Sequence, residues 1–185
     1  LAPGSRAAPR WLVMDLASFL GLEPTTDPAR FRLPVTREIC GGRDSIYGGC
    51  ALATAIEAAE AHTGRPTAWA TCQFLRPAHL GSVVELEVLV PAAGRAVSHT
   101  RVIARVGDEE VFAALVSVGE RDFPAEGVWQ TMPDVPGPEG LPARYIRAQN
   151  KGGIRERITE LAVTDHPDGV MSNPDGRCAV WITMP

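Results

Sequence analysis

The hydrophobic pattern of this chain changes period once, and that change predicts most of its architecture. From Gly49 to His62 the sequence is a run of good helix formers with few charges, opened by the pair Gly48-Gly49 and closed by Gly64 and Pro66. This predicts one helix of about four turns. Leu52, Ala55, Ile56 and Ala59 fall on one helical face, alanine fills most other positions, and Thr54, Glu57 and Glu60 are the polar ones. A helix that is small and apolar nearly all round is expected to be buried. After Gly64 the period shortens to that of strands: Thr67 to Arg76, Val83 to Val90, Ala96 to Val106 and Glu110 to Val118 are Val-rich and alternate in places. Turn-like breaks separate them at Pro77 to Gly81, Pro91 to Gly94 and Gly107-Asp108.

One buried helix followed by an antiparallel meander is the pattern of an α+β hotdog fold, in which a curled sheet wraps a central helix. Ahead of the helix, Phe31 to Thr36 reads as a first strand and Gly41-Gly42-Arg43-Asp44 as a flexible loop. Trp11, Leu12, Leu16, Phe19 and Leu20 suit a short amphipathic helix ending at Gly21. The expected organisation is a disordered or expression-derived N-terminus over 1–14, a hotdog domain over 15–122 and a Pro/Gly-rich linker over 123–152. Residues 153–185 are expected to form the start of a second hotdog repeat or strands added to the first. In that tail Ile154 to Val163 and Arg177 to Met184 are strand-like, separated by a turn-rich stretch from His166 to Gly176.

Composition narrows the function classes. At 185 residues, with 45% hydrophobic and 22% charged residues, the chain has the make-up of an ordinary globular protein with a substantial core. Its net charge of −4 and scattered arginines argue against a nucleic-acid or anionic-membrane partner. No apolar run approaches the ~20 residues of a membrane span, and the expected location is cytoplasmic. Cys40, Cys50, Cys72 and Cys178 show no CxxC spacing, so buried free thiols are expected and no metal is implied. Cys50 lies at a helix start, where the dipole favours a thiolate, although the simpler reading is a small residue packed beside glycine. His62, His79, His99 and His166 show no ligand-type or triad-type pairing, and Asp165-His166-Pro167-Asp168 reads as a turn.

Several short motifs occur together in a fixed order. Tyr47-Gly48-Gly49 opens the helix, Phe74-Leu75-Arg76-Pro77 ends the next strand, and Gly94-Arg95-Ala96-Val97-Ser98-His99-Thr100-Arg101 opens a later hairpin strand. Trp129-Gln130-Thr131-Met132-Pro133 then leads into the linker. In this order and spacing the chain resembles the first repeat of the double-hotdog acyl-CoA thioesterases of type II, over roughly Phe19 to Pro142.

The resemblance implies hydrolysis of fatty acyl-CoA, with CoA as part of the substrate and no bound cofactor. Such chemistry needs a polarised carbonyl, an activated water and room for the acyl chain. Backbone N–H groups at a helix start supply the first, which makes Tyr47, Gly48, Gly49 and Cys50 the candidate substrate-binding residues. The glycines equally suit tight packing of the helix start. The weak candidates for activating water are Asp44, Glu57 and Gln73. Glu60 lies on the same helix, and a solvated or partner-facing role is open to either glutamate. In the thioesterases that this chain resembles, the working Asp and its hydroxyl and glutamine partners belong to the second repeat, so no catalytic residue is carried over. The chain is then expected to be part of a longer enzyme, a single-repeat relative working as a homo-oligomer, or a non-catalytic acyl-CoA or lipid-binding module. A hydratase or dehydratase acting on acyl thioesters ranks last, since the helix carries histidine only at its far end.

Overall fold

The computed structural model describes residues 16–120, 131–132, 134–143, 152–163 and 179–183. The expectations for residues 1–15, the Trp129-Gln130 pair, the Asp165-His166-Pro167-Asp168 turn and Cys178 lie outside the described residues. Helix α1 is Leu16–Leu20, followed by strands β1 (Glu23–Pro24) and β2 (Arg30–Pro34) and a 3₁₀ turn at Arg37–Ile39. Helix α2 is Gly48–Thr63, and the meander is β3 (Thr67–Phe74), β4 (Val83–Ala92), β5 (Val97–Val106) and β6 (Glu109–Gly119). A second 3₁₀ turn at Ile154–Arg157 precedes β7 (Thr159–Ala162) and β8 (Val180–Thr183).

Strands β1 to β6 form one antiparallel sheet in the order β1-β2-β4-β5-β6-β3. Alternation along each strand directs Phe31 and Leu33, Val84, Leu86 and Val88, Val102 and Ala104, and Phe112, Ala114, Val116 and Val118 to the inner face, where all are buried. Helix α2 lies across this face and completes the hotdog fold.

The helix buries only part of the predicted face, and not its large side chains. Ala55 and Ala59 of that face are buried together with Cys50, Ala51, Thr54 and Ala58, whereas Leu52 and Ile56 lie at its edge and are only half-buried. The reason is spacing: a stripe of alanines lets the helix axis approach a curled sheet that already carries Phe112, Leu86 and Leu33. Thr54, one of the polar positions of the helix, is fully buried, and its hydroxyl donates to the Cys50 carbonyl at 2.8 Å. Thr100 on β5 is satisfied in the same way by the Val116 carbonyl at 3.0 Å.

The helix ends where Gly64 adopts φ 65° and its N–H closes onto the Glu60 carbonyl. Glu60 also fixes the next element, because its carboxylate accepts the Thr67 N–H at 2.7 Å and so sets the start of β3. Replacing Glu60 by alanine leaves that part-buried N–H without its acceptor, and a loss of about 1–2 kcal/mol is expected in urea unfolding. Arg65 ties the same corner to the β4–β5 hairpin, donating to the Gly94 carbonyl at 3.0 Å, to the Ser98 hydroxyl at 2.8 Å and to the Arg95 carbonyl.

Strands β7 and β8 pair with each other in a separate two-stranded sheet. The turn before them docks on the first domain: Ile154 is buried in its core and donates its N–H to the Cys40 carbonyl. Arg157 follows, with its guanidinium 5.3 Å from the Phe19 ring centre.

Candidate functional site

The loop before α2 is stapled on both sides. Tyr47 N–H donates to the Ile39 carbonyl, Ile46 N–H to the Ala78 carbonyl, and Leu80 N–H to the Asp44 carbonyl. These bonds hold the start of α2 against the turn that follows β3. Tyr47 occupies the N-cap position in an extended conformation, and its side chain makes no capping hydrogen bond. Hydrogen-bond donors at the first turn of α2 are therefore not taken up by that side chain. The Tyr47 ring instead lies over Gly49, where an added Cβ would come within 2.9 Å of it.

Beside this helix start lies an open groove of about 370 Å³, lined by Ile46, Gly48, Phe74, Leu75, Arg76, Pro77, Val111 and Phe112. Sheet register makes it. Phe74 pairs with Phe112 on the inner face, and the chain then leaves the sheet with the Leu75 and Arg76 N–H groups both donating to the Val111 carbonyl. Gly48 belongs here for want of a side chain, since a Cβ on it would meet the Phe74 ring at 3.2 Å. Phe74 and Leu75 remain 58% and 49% exposed, an unusual amount of apolar surface beside a helix terminus.

The candidate residues divide by location. Tyr47 and Gly48-Gly49 are at the helix start, with Gly48 in the groove wall. Asp44 lies in the preceding loop at φ 49°, 61% exposed, with its carboxylate 2.6 Å from Arg37. That hydrogen bond holds the Arg37 guanidinium above its ordinary pKa. Glu57 is half-buried on α2, engaged with a neighbour, and does not line the groove. Gln73 is exposed and, one residue out of phase with Phe74, sits on the outer face of the sheet. The structure does not bring these three together. The groove-forming residues Val111 and Phe112 come from β6 and were not among the candidates.

Cys50 is 5% exposed, and burial pushes its thiol up from 9.0 to about 11, with Cys40 adding to the shift. Burial likewise raises Cys40 and Cys72. The helix dipole at Cys50 is outweighed by desolvation, so the group is a packed thiol at neutral pH. Because the unfolded thiols ionise first as pH rises, stability is present below about pH 9 and is expected to decline between 9 and about 11. Cys50→Ala should flatten part of that decline, as read from urea midpoints across the alkaline range.

A six-stranded antiparallel sheet curled on one helix, with an apolar groove at the helix start, defines a hotdog domain. Residues 35–119 match the family model of the acyl-CoA thioesterase N-terminal domain. Among solved structures, a candidate thioesterase from Novosphingobium aromaticivorans is 29% identical with a TM-score of 0.74, matching 88% of this chain and 64% of its own. The tesB protein MAP1729c of Mycobacterium avium subsp. paratuberculosis is 26% identical with a TM-score of 0.61, over 82% of this chain and 54% of its own. A hot-dog-fold protein of unknown function from Alicyclobacillus acidocaldarius shares the fold at 21% identity and a TM-score of 0.68, over 80% of this chain and 55% of its own. The chain thus spans between about half and two thirds of the length of these proteins. No curated protein matches it. Among the described residues no helix is long and apolar enough to cross a membrane.

Proposed function

We propose that this domain takes part in hydrolysing fatty acyl-CoA to fatty acid and CoA, with the thioester seated in the groove at the start of α2. The observation that carries this reading is the opening of the Gly48-Gly49 helix start onto an apolar groove. Its volume of about 370 Å³ lies in the range of small-molecule sites. The acyl chain lies along Phe74, Leu75 and Phe112. The thioester oxygen faces the first-turn N–H groups, where the helix dipole stabilises the charge that develops as water adds. Collapse of the tetrahedral intermediate breaks the C–S bond, and the CoA thiolate leaves and takes up a proton.

Among the described residues the groove's lining holds no carboxylate or histidine, so the base that activates water is supplied from outside that lining. Two features support a second hotdog unit, either a further copy or a further repeat, as its source. The groove is open on one side. Strand β3 is at the sheet edge, paired with β6 alone among the described residues, and it presents the exposed Trp69 and Phe74.

Release of free CoA from a panel of acyl-CoAs, with the mass in solution measured on the same sample, tests the proposal. Turnover is expected from an associated form. A second reading, acyl-CoA binding without cleavage, is favoured by the engagement of Asp44 with Arg37 and by the outward position of Gln73. It would be distinguished by saturable binding with no CoA released at any protein concentration.

A further inference from the structure

The turn that precedes β7 is bound to the loop that sets the start of α2. Ile154 N–H donates to the Cys40 carbonyl at 3.1 Å, and the Ile154 side chain is buried in the core of the first domain. Gly153 passes so close that a Cβ on it would collide with the same carbonyl oxygen, so only glycine permits this approach. Gly152, at φ 73°, lies beside the stem of Arg37, whose guanidinium holds Asp44. Cys40 pairs with Ile46 across a tight loop, and the carbonyl of its neighbour Ile39 accepts the N–H of Tyr47, the N-cap residue of α2. On its other side the turn is fastened to β7, where Arg155 Nη2 lies 2.8 Å from the carboxylate of the largely buried Glu160. One short run of contacts thus joins the β7–β8 sheet to the first turn of α2.

We infer that residues 152–157 are a positioning joint: docked on Cys40, they hold the first-turn N–H groups of α2 in place for the thioester and couple occupation of the groove to the seating of the β7–β8 sheet. The inference rests on the acyl-thioester reading of the groove and adds to it a control of the same donors from outside the groove. Within the loop, Arg43 and Asp44 both stand at positive φ, 66° and 49°, a conformation that residues with side chains keep only when their surroundings impose it. When the turn lifts, the Cys40 carbonyl loses its donor, the loop loses one wall and relaxes, and Tyr47 moves with it. A shift of about an ångström at the helix start is enough to spoil the fit of a bound carbonyl. The coupling is reciprocal, so the factor that docking adds to ligand affinity is the factor that ligand adds to docking.

The test compares Gly153→Ala with Val88→Ala in the 185-residue chain, using titration with a long-chain S-alkyl-CoA thioether and amide hydrogen exchange. Val88 is buried on β4, two strands from β6 and its groove wall, so its truncation lowers stability without touching the joint. Gly153→Ala is expected to weaken thioether binding about tenfold and to speed exchange of the Ile46 and Tyr47 N–H groups by a similar factor, with the β5 and β6 amides unchanged. Val88→Ala should bind within about twofold of the unsubstituted chain despite a fall in thermal midpoint at least as large. Ile154→Val, which keeps the backbone bond and most of the burial, should preserve both binding and exchange. In the unsubstituted chain, saturating thioether should slow exchange of the Ile154 N–H about tenfold. Equal binding losses in Gly153→Ala and Val88→Ala would trace the effect to general stability. That result, unchanged binding by Gly153→Ala, or unchanged exchange at Ile154 under saturating thioether would each overturn the inference and leave the groove reading intact. If the unsubstituted chain binds no thioether, the acyl-thioester reading falls and takes the inference with it.

Discussion

Replacing Phe112 by alanine is expected to lower the unfolding free energy by about 3–5 kcal/mol, the largest single-site effect on stability that the fold predicts. Phe112 is 1% exposed on the inner face of β6, between Ala104 of β5 and Phe74 of β3. Its ring fills the space between the sheet and the groove floor, and the neighbouring alanines of α2 have no atoms with which to close the gap. For a domain whose total stability is about 5–15 kcal/mol, that loss moves the urea midpoint far down without altering the slope. The control is Leu115→Ala. Leu115 is three residues along the same strand but faces outward and is 53% exposed, so a change within about 0.5 kcal/mol is expected in the isolated domain. Similar costs for the two variants would mean that the strand's inner and outer faces have been assigned wrongly.

The largest functional effect is expected from Gly48→Val. A Cβ at Gly48 already meets Phe74 Cζ at 3.2 Å, and the two γ-methyl groups of valine extend from it toward the groove. The substitution lies in the first turn of α2, where a β-branched residue costs little helix stability and the half-buried surroundings can adjust. Folding should therefore survive, with the thermal midpoint shifted by a few degrees at most. The substrate carbonyl is displaced from the first-turn N–H groups, and a displacement of about an ångström is enough for a loss near a hundredfold in kcat/KM. Gly48→Ala should give an intermediate loss, because the Phe74 ring is exposed and can yield. Turnover by Gly48→Val within threefold of the unsubstituted chain would place the reacting carbonyl elsewhere.

Much of the fold was legible because its punctuation is chemical. Gly64, the Pro77 to Gly81 turn and Gly107 each interrupt a run whose period is already clear, and the strands β2 to β6 begin and end within about two residues of the predicted ones. In the tail the match is poorer: the strand expected over Ile154 to Val163 opens with the 3₁₀ turn Ile154–Arg157 and pairs only over Thr159–Ala162, and the short β1 was not predicted. Strand β4 continues through Pro91 to Ala92 because the register shifts between Leu89 and Ala92, and a strand irregularity accommodates a proline. The buried face of α2 was not legible. Alanine all round gives little size contrast, so Leu52 and Ile56 drew the predicted face toward themselves, whereas the curled sheet covers Ala55 and Ala59 and the alanines beyond them.

The site was legible only in part, for a related reason. Tyr47, Gly48 and Gly49 are consecutive and mark a helix start on inspection. The groove's far wall depends on the pairing of Phe74 with Phe112, two residues far apart in sequence, and no local pattern announces that register. Gln73 could have been placed by parity alone, since Cys72 and Phe74 share the inner face and the residue between them faces away.

The most direct test of the central claim is calorimetric titration of a long-chain S-alkyl-CoA thioether into the chain and into its Gly48→Val variant, after both have been shown to be folded. The account predicts saturable, micromolar binding with one ligand per groove, accompanied by the negative heat-capacity change of apolar burial, and at least a tenfold loss in the variant. Absence of saturable binding, or equal binding by the two proteins, would contradict it, because the ligand would then have no place at the start of α2.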